Sequence, residues 1–195
     1  MLSKDSPSLP PAVRRIVGAF RIFGWLSFWV QTVLGIVSGL VLIFSSVVLS
    51  FQGQTDQAQR NNPGTGAGLF FAVAGLVALF VGAYWAFRYT RLSQKLRAVE
   101  TKLRPKPSDV IQALKLGLII NLVGMLLTLL GGEALIGALV AKALSQPQGG
   151  AFLERITQAI QPLDIWVVQA NTNTALAHFV GISVSLWLVR CMSRQ

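Results

Sequence analysis

Residues Leu163–Arg190 read LDIWVVQANTNTALAHFVGISVSLWLVR, and the architecture of the whole chain can be argued outward from them. The stretch is apolar enough to cross a bilayer, yet it carries amides, hydroxyls and the only histidine in the protein. At about 100° per residue in a helix, Asn171, Thr174, His178, Gly181 and Ser185 share one stripe less than a right angle wide. Leu176, Phe179, Val180, Trp187 and Leu188 occupy the other side, which suits lipid. Hydrocarbon offers a polar stripe no partners, so the stripe must face protein or water. Asp164 is placed to cap the helix start, and Pro162 discourages an upstream helix from running through.

Composition agrees with a membrane origin. The 195 residues are 53% hydrophobic and 12% charged, with mean hydropathy +0.59. Soluble domains carry about twice that charged fraction. A net charge of +10 would point to nucleic acid in a soluble protein, but these cations sit beside hydrophobic spans. Topology and anionic lipid account for them, and no nucleic-acid partner is expected. The lone cysteine, Cys191, excludes an intrachain disulfide and any multi-cysteine metal or redox site.

Four apolar blocks follow one another. Residues 1–24 form a polar tail and a basic segment in which Val13, Ile16, Val17 and Phe20 share a helical face. That pattern predicts a short amphipathic helix on the membrane surface, or a lead-in to the first span. Residues 25–195 form the membrane domain, with spans at about 25–51, 67–87, 116–137 and 166–190. Gly35 and Gly39 make a G-x-x-x-G pair in the first span; Ala74, Ala78 and Gly82 repeat at i+4 in the second. Both are read as helix-packing faces, since small residues let backbones approach. Thr90–Leu103 is expected to extend the second span as a helix, and Ser108 to cap the next one. The third block is interrupted by Gly131-Gly132-Glu133, which predicts that Ala134–Leu144 leaves the span or lies along the surface. Glu133 falls near the outer interface, and Asn121 is the strong polar group in the inner half of this span. A further short surface helix is expected over 151–161.

Cations set the orientation. Residues 88–115 hold eight of the seventeen, and the N-terminal tail, this loop and the C-terminus together hold fourteen. Only Arg60, Lys142 and Arg155 fall on the other side. The expected fold is an all-α membrane protein of four transmembrane helices with both termini cytoplasmic, plus short amphipathic surface helices. The bilayer is its first partner, with anionic lipid at the basic loop 88–115 and a homo-oligomer or membrane-complex partners beside it.

The run Leu139-Val-Ala-Lys-Ala-Leu144, then Leu163-Asp164, Val168-Gln-Ala170, Asn173-Thr174, Leu176, His178-Phe179, Gly181 and Ser185-Leu186 resembles a known family. This is the chloroplast inner-envelope translocon component, also called "permease in chloroplasts", with its cyanobacterial relatives of unknown function. The likeness is strongest over about Leu114–Arg190. It implies a part in preprotein import or in iron permeation. With no transit peptide evident, a cyanobacterial-type plasma or thylakoid membrane is the expected location.

Catalysis has little to work with. One histidine rules out two-histidine metal motifs, and no carboxylate pair lies within helical reach inside a span. No enzyme activity and no cofactor is expected, and no residue is assigned to a metal. The candidate site is the stripe Asn171, Thr174, His178 and Ser185, with Asn121 and Glu133 as further intramembrane polar groups. A transport-related role competes with that of a structural or assembly subunit, in which the same stripe is inter-helix glue.

Overall fold

In the computed structural model, residues 11–52, 63–96, 105–144 and 162–193 are described. They form four α-helices: α1 Pro11–Gln52, α2 Pro63–Leu96, α3 Pro107–Leu144 and α4 Pro162–Ser193. Each is long and apolar enough to cross a membrane, and the chain is an integral membrane protein. All four open on proline, at the first helical position, where the missing N–H has no partner to lose. For α3, the carbonyl of Lys106 accepts from the backbone N–H of Asp109 at 3.0 Å and of Val110 at 3.3 Å. Ser108 and Asp164 therefore lie inside their helices and are not the caps. Asp164, in the first turn of α4, instead pairs with Lys142 in the last turn of α3 at 3.0 Å.

Helices adjacent in sequence pack side by side, and α4 closes the ring on α1. The buried positions of α2 step through Gly68, Ala72, Gly75, Leu79, Gly82, Ala86 and Tyr89. Those of α3 step through Leu114, Gly117, Asn121, Gly124, Thr128, Gly131 and Leu135. Alternating steps of four and three average 3.5 residues, the spacing that keeps one seam facing its neighbours. A strict i+4 row drifts about 40° per step, because four residues turn a helix by about 400°. That drift corrects the expected packing row of α2. Gly82 is buried and the half-buried Ala78 stands close against Gly124 of α3, but Ala74 lies off the seam, whose centre runs through Gly75 and Leu79. In α1, Gly35 is the close contact, against Leu79 and Phe80, while Gly39 meets only Leu76.

Glycine also explains why α3 does not break. A Cβ on Gly131 would stand 2.8 Å from the backbone nitrogen of Ala72, and one on Gly132 would stand 2.8 Å from the Asn171 amide nitrogen. These glycines let α3 touch α2 and α4, and the helix passes straight through them to Leu144. The interruption read from the sequence is a contact surface.

The N-terminal segment also differs from a separate surface helix. It is continuous with α1, and Ile16 and Phe20 join Tyr89, Val110, Leu114, Val184 and Leu188 in one apolar cluster. Its apolar face is used against protein, which removes the reason to lie on lipid. The cluster joins all four helices at one end of the bundle, so the two ends of the described chain lie together there. Thr90–Leu96 extends α2 as expected, whereas residues 97–103 and the surface helix expected over 151–161 lie outside the described residues.

Candidate functional site

The stripe of α4 faces inward along its whole length. Asn171, Thr174, His178 and Ser185 are all buried, and the His178 side chain is fully enclosed. His178 lies ten residues from Leu188 of the apolar cluster, about 15 Å along the helix, which is near half of a ~30 Å hydrocarbon core.

Two helices supply its hydrogen-bond partners, and the third brings a glutamine close by. The imidazole Nε2 is 3.1 Å from the carbonyl oxygen of Gly75 on α2. Its Nδ1 is 3.2 Å from Asn121 Oδ1 on α3, and Asn121 Nδ2 donates to the Gly117 carbonyl at 2.9 Å. Glycine makes this approach possible. A Cβ on Gly124 would enter the His178 ring, and one on Gly181 would meet Asn121 Oδ1. The helix α1 contributes Gln31, fully buried, whose Nε2 donates to Ser27 Oγ at 2.8 Å. A Cβ on Gly82 would lie 2.9 Å from both Asn121 Oδ1 and Gln31 Oε1. Gln31, Asn121 and His178 thus converge on one point of the bundle axis.

Polar groups continue above and below that point. Towards the end bearing Lys142 and Asp164, Asn171 Nδ2 donates to the Thr128 carbonyl at 2.9 Å, and Ser38 Oγ donates to the Ala170 carbonyl at 2.8 Å. Thr174 donates to the same Ala170 oxygen at 3.0 Å. Towards the other end, the Tyr89 hydroxyl lies 3.3 Å from Ser185 Oγ. Beyond this pair stands the apolar cluster, with Phe20, Leu114 and Leu188 fully enclosed, so Leu188, expected on the lipid side, borders the stripe and faces protein. Among the described residues, three buried side-chain atoms in the bundle have no hydrogen-bond partner: Gln31 Oε1, Ser45 Oγ and Asn171 Oδ1.

The structure brings Asn121 to His178 and leaves Glu133 exposed on α3. It adds Gln31, Ser27, Ser38 and Ser45 from α1 and Thr128 from α3. A signal for the α1 set was present, because Ser27, Gln31, Ser38 and Ser45 recur at steps of four, seven and seven on one helical face. No cluster of three or more histidine, cysteine, aspartate or glutamate residues occurs among the described residues.

No solved structure matches the chain. A curated relative, Protein TIC 21, chloroplastic, of Arabidopsis thaliana, is 34% identical over 197 residues. The match takes in 97% of this chain and 62% of that protein, so the chain spans about three-fifths of the relative's length. Residues 10–193 match the family described as Protein of unknown function (DUF3611), which covers all four helices and every residue of the polar axis. The chain belongs to that family.

Proposed function

We propose that this protein has a transport-related role in its membrane and carries a small ion along the axis of the bundle, without enzymatic chemistry. One observation carries this reading: a line of buried polar groups runs from Ser45 and Asn171 through Gln31, Asn121 and His178 to Tyr89 and Ser185. Polar side chains at mid-membrane are costly, and the interiors that hold them are commonly ion or proton paths. Protein translocation, the other role the resemblance implies, needs a path as wide as a polypeptide. Here side chains fill the axis to the point where a Cβ on Gly75 would enter Thr128. A polypeptide path would therefore run between copies or beside a partner.

The assembly-subunit reading has its own support. Most of the axial groups are hydrogen-bonded to one another or to backbone, as glue would be. Flux separates the two. Purified protein in liposomes should dissipate a cation gradient faster than empty liposomes. His178→Gln, which keeps hydrogen-bonding groups, should slow that flux several-fold while melting close to the wild type. Unchanged flux in a stable His178→Gln protein would leave the axis as glue.

Both termini are assigned to the cytoplasmic side, or its equivalent, of a cyanobacterial-type plasma or thylakoid membrane. Exposed Arg14, Arg21, Arg88, Arg91 and Arg190 gather at the end of the apolar cluster, where anionic lipid would meet them. Two of them already lie over aromatic rings: Arg88 is 4.7 Å from the Trp85 centroid and Arg91 4.9 Å from that of Phe87. A homo-oligomer or a membrane complex would widen the available path. Cys191, half-exposed near the end of α4, reports the orientation. An impermeant thiol reagent should label it from the cytoplasmic side only, and labelling from the opposite side of sealed vesicles would overturn the topology.

A further inference from the structure

The groups that meet around His178 are rich in acceptors, and one of them has no partner. A backbone carbonyl only accepts, so the imidazole nitrogen facing Gly75 must carry the ring hydrogen. In the neutral ring, Nδ1 then presents its lone pair to Asn121 Oδ1 at 3.2 Å. The amide nitrogen of Asn121 is occupied by the Gly117 carbonyl at 2.9 Å, which fixes the direction of Oδ1. Gln31 repeats the pattern. One hydrogen of its nitrogen goes to Ser27 Oγ at 2.8 Å, and its Oε1, in a fully buried side chain, has no partner. The two amide oxygens are each 2.9 Å from a single point above Gly82, so they lie within twice that distance of one another. Three acceptors therefore meet at the bundle centre, one of them, Gln31 Oε1, with no hydrogen-bond partner, while Gln31 Nε2 and Asn121 Nδ2 each keep a second hydrogen.

We propose that Gln31 Oε1, Asn121 Oδ1 and His178 Nδ1 form a binding site for one dehydrated monovalent cation. Amide and carbonyl oxygens are the ligands that replace the hydration shell of such ions in membrane filters. Single charge follows from the surroundings. The described residues offer no carboxylate or thiolate cluster to balance a divalent ion, and hard or borderline divalent ions are normally held by such groups. The glycines complete the site: Gly82 and Gly181 admit the two amides, and Gly124 admits the ring. This inference rests on the transport reading and names its cargo.

The test is binding by the purified full-length protein in detergent, with Na+ or K+ replaced at equal ionic strength by N-methylglucamine. Melting temperature should rise saturably with Na+ or K+ and not with N-methylglucamine. Gln31→Leu should abolish the rise, and Gln31→Met serves in its place if the leucine variant fails to fold. Leu40→Ala, on the exposed outer face of the same helix, should retain it. Equal melting in all three salts, or a full rise in the Gln31 variants, would overturn the site. So would a melting point that follows pH and ignores Na+ and K+, because a proton would then be the ligand. Flux without cation-dependent melting would sink this inference and spare transport. Cation-dependent melting without flux would do the reverse.

Discussion

Replacing Gly131 by alanine should drive α2 and α3 apart, whereas the same change at Gly137 should leave the bundle intact. The new Cβ at Gly131 would lie 2.8 Å from the Ala72 nitrogen, 3.1 Å from the Gly68 oxygen and 3.2 Å from the Phe71 carbonyl carbon. Every one of these atoms is backbone, so no side-chain rotation can relieve the contact. The helices must separate by some tenths of an ångström. The neighbouring contacts at Gly75 with Thr128 and at Gly68 with Leu135 would loosen with them. Overpacking of this kind costs about 1–3 kcal/mol, occasionally more, against about 1 kcal/mol gained from helix propensity. A Cβ on Gly137 meets nothing within 4 Å, so only the propensity gain applies there. Thermal melting in mild detergent should fall clearly for Gly131→Ala and hold or rise slightly for Gly137→Ala. Equal melting of the two variants would show that α2 and α3 do not meet at this seam.

Phe20→Ala is expected to be the costliest truncation, and it also bears on the path. Phe20 is fully enclosed and packs with Leu114, Val184 and Leu188 where all four helices meet. Removing a buried phenylalanine ring costs about 3–5 kcal/mol, a sum of lost contacts and the cavity left behind. The same cavity would open beneath the Tyr89–Ser185 pair, at the end of the polar line. If the axis conducts, this apolar cluster is its barrier, and Phe20→Ala should raise cation leak in liposomes. Val184→Ala, a smaller truncation in the same cluster, should lower melting less and raise leak less. Unchanged melting in both would contradict the packing. Lower melting with unchanged leak would show that the cluster does not limit passage.

Much of this was open to reading in the residues, because a bilayer imposes its constraint locally. Four apolar runs each near twenty residues must be helices, since only a helix satisfies its own backbone in hydrocarbon. The stripe Asn171, Thr174, His178 and Ser185 has to turn inward, and Asn121 is one of the few polar groups another span offers it. Gly131-Gly132-Glu133 reads as a break from sequence alone because glycine has two uses, and only a neighbouring helix shows which applies. The row Ala74, Ala78 and Gly82 is used only in part for a geometric reason: its drift is invisible until a partner fixes which seam is used.

Hydropathy and helical phase, then, determined the helices, their number and the inward face of α4, because those depend on one segment and its solvent. The meeting of Gln31, Asn121 and His178 was decided by tertiary structure alone. Their depth depends on the relative height of α1, α3 and α4. That height is set by where Gly82, Gly124 and Gly181 let the backbones close, a property of pairs of helices and not of any one of them.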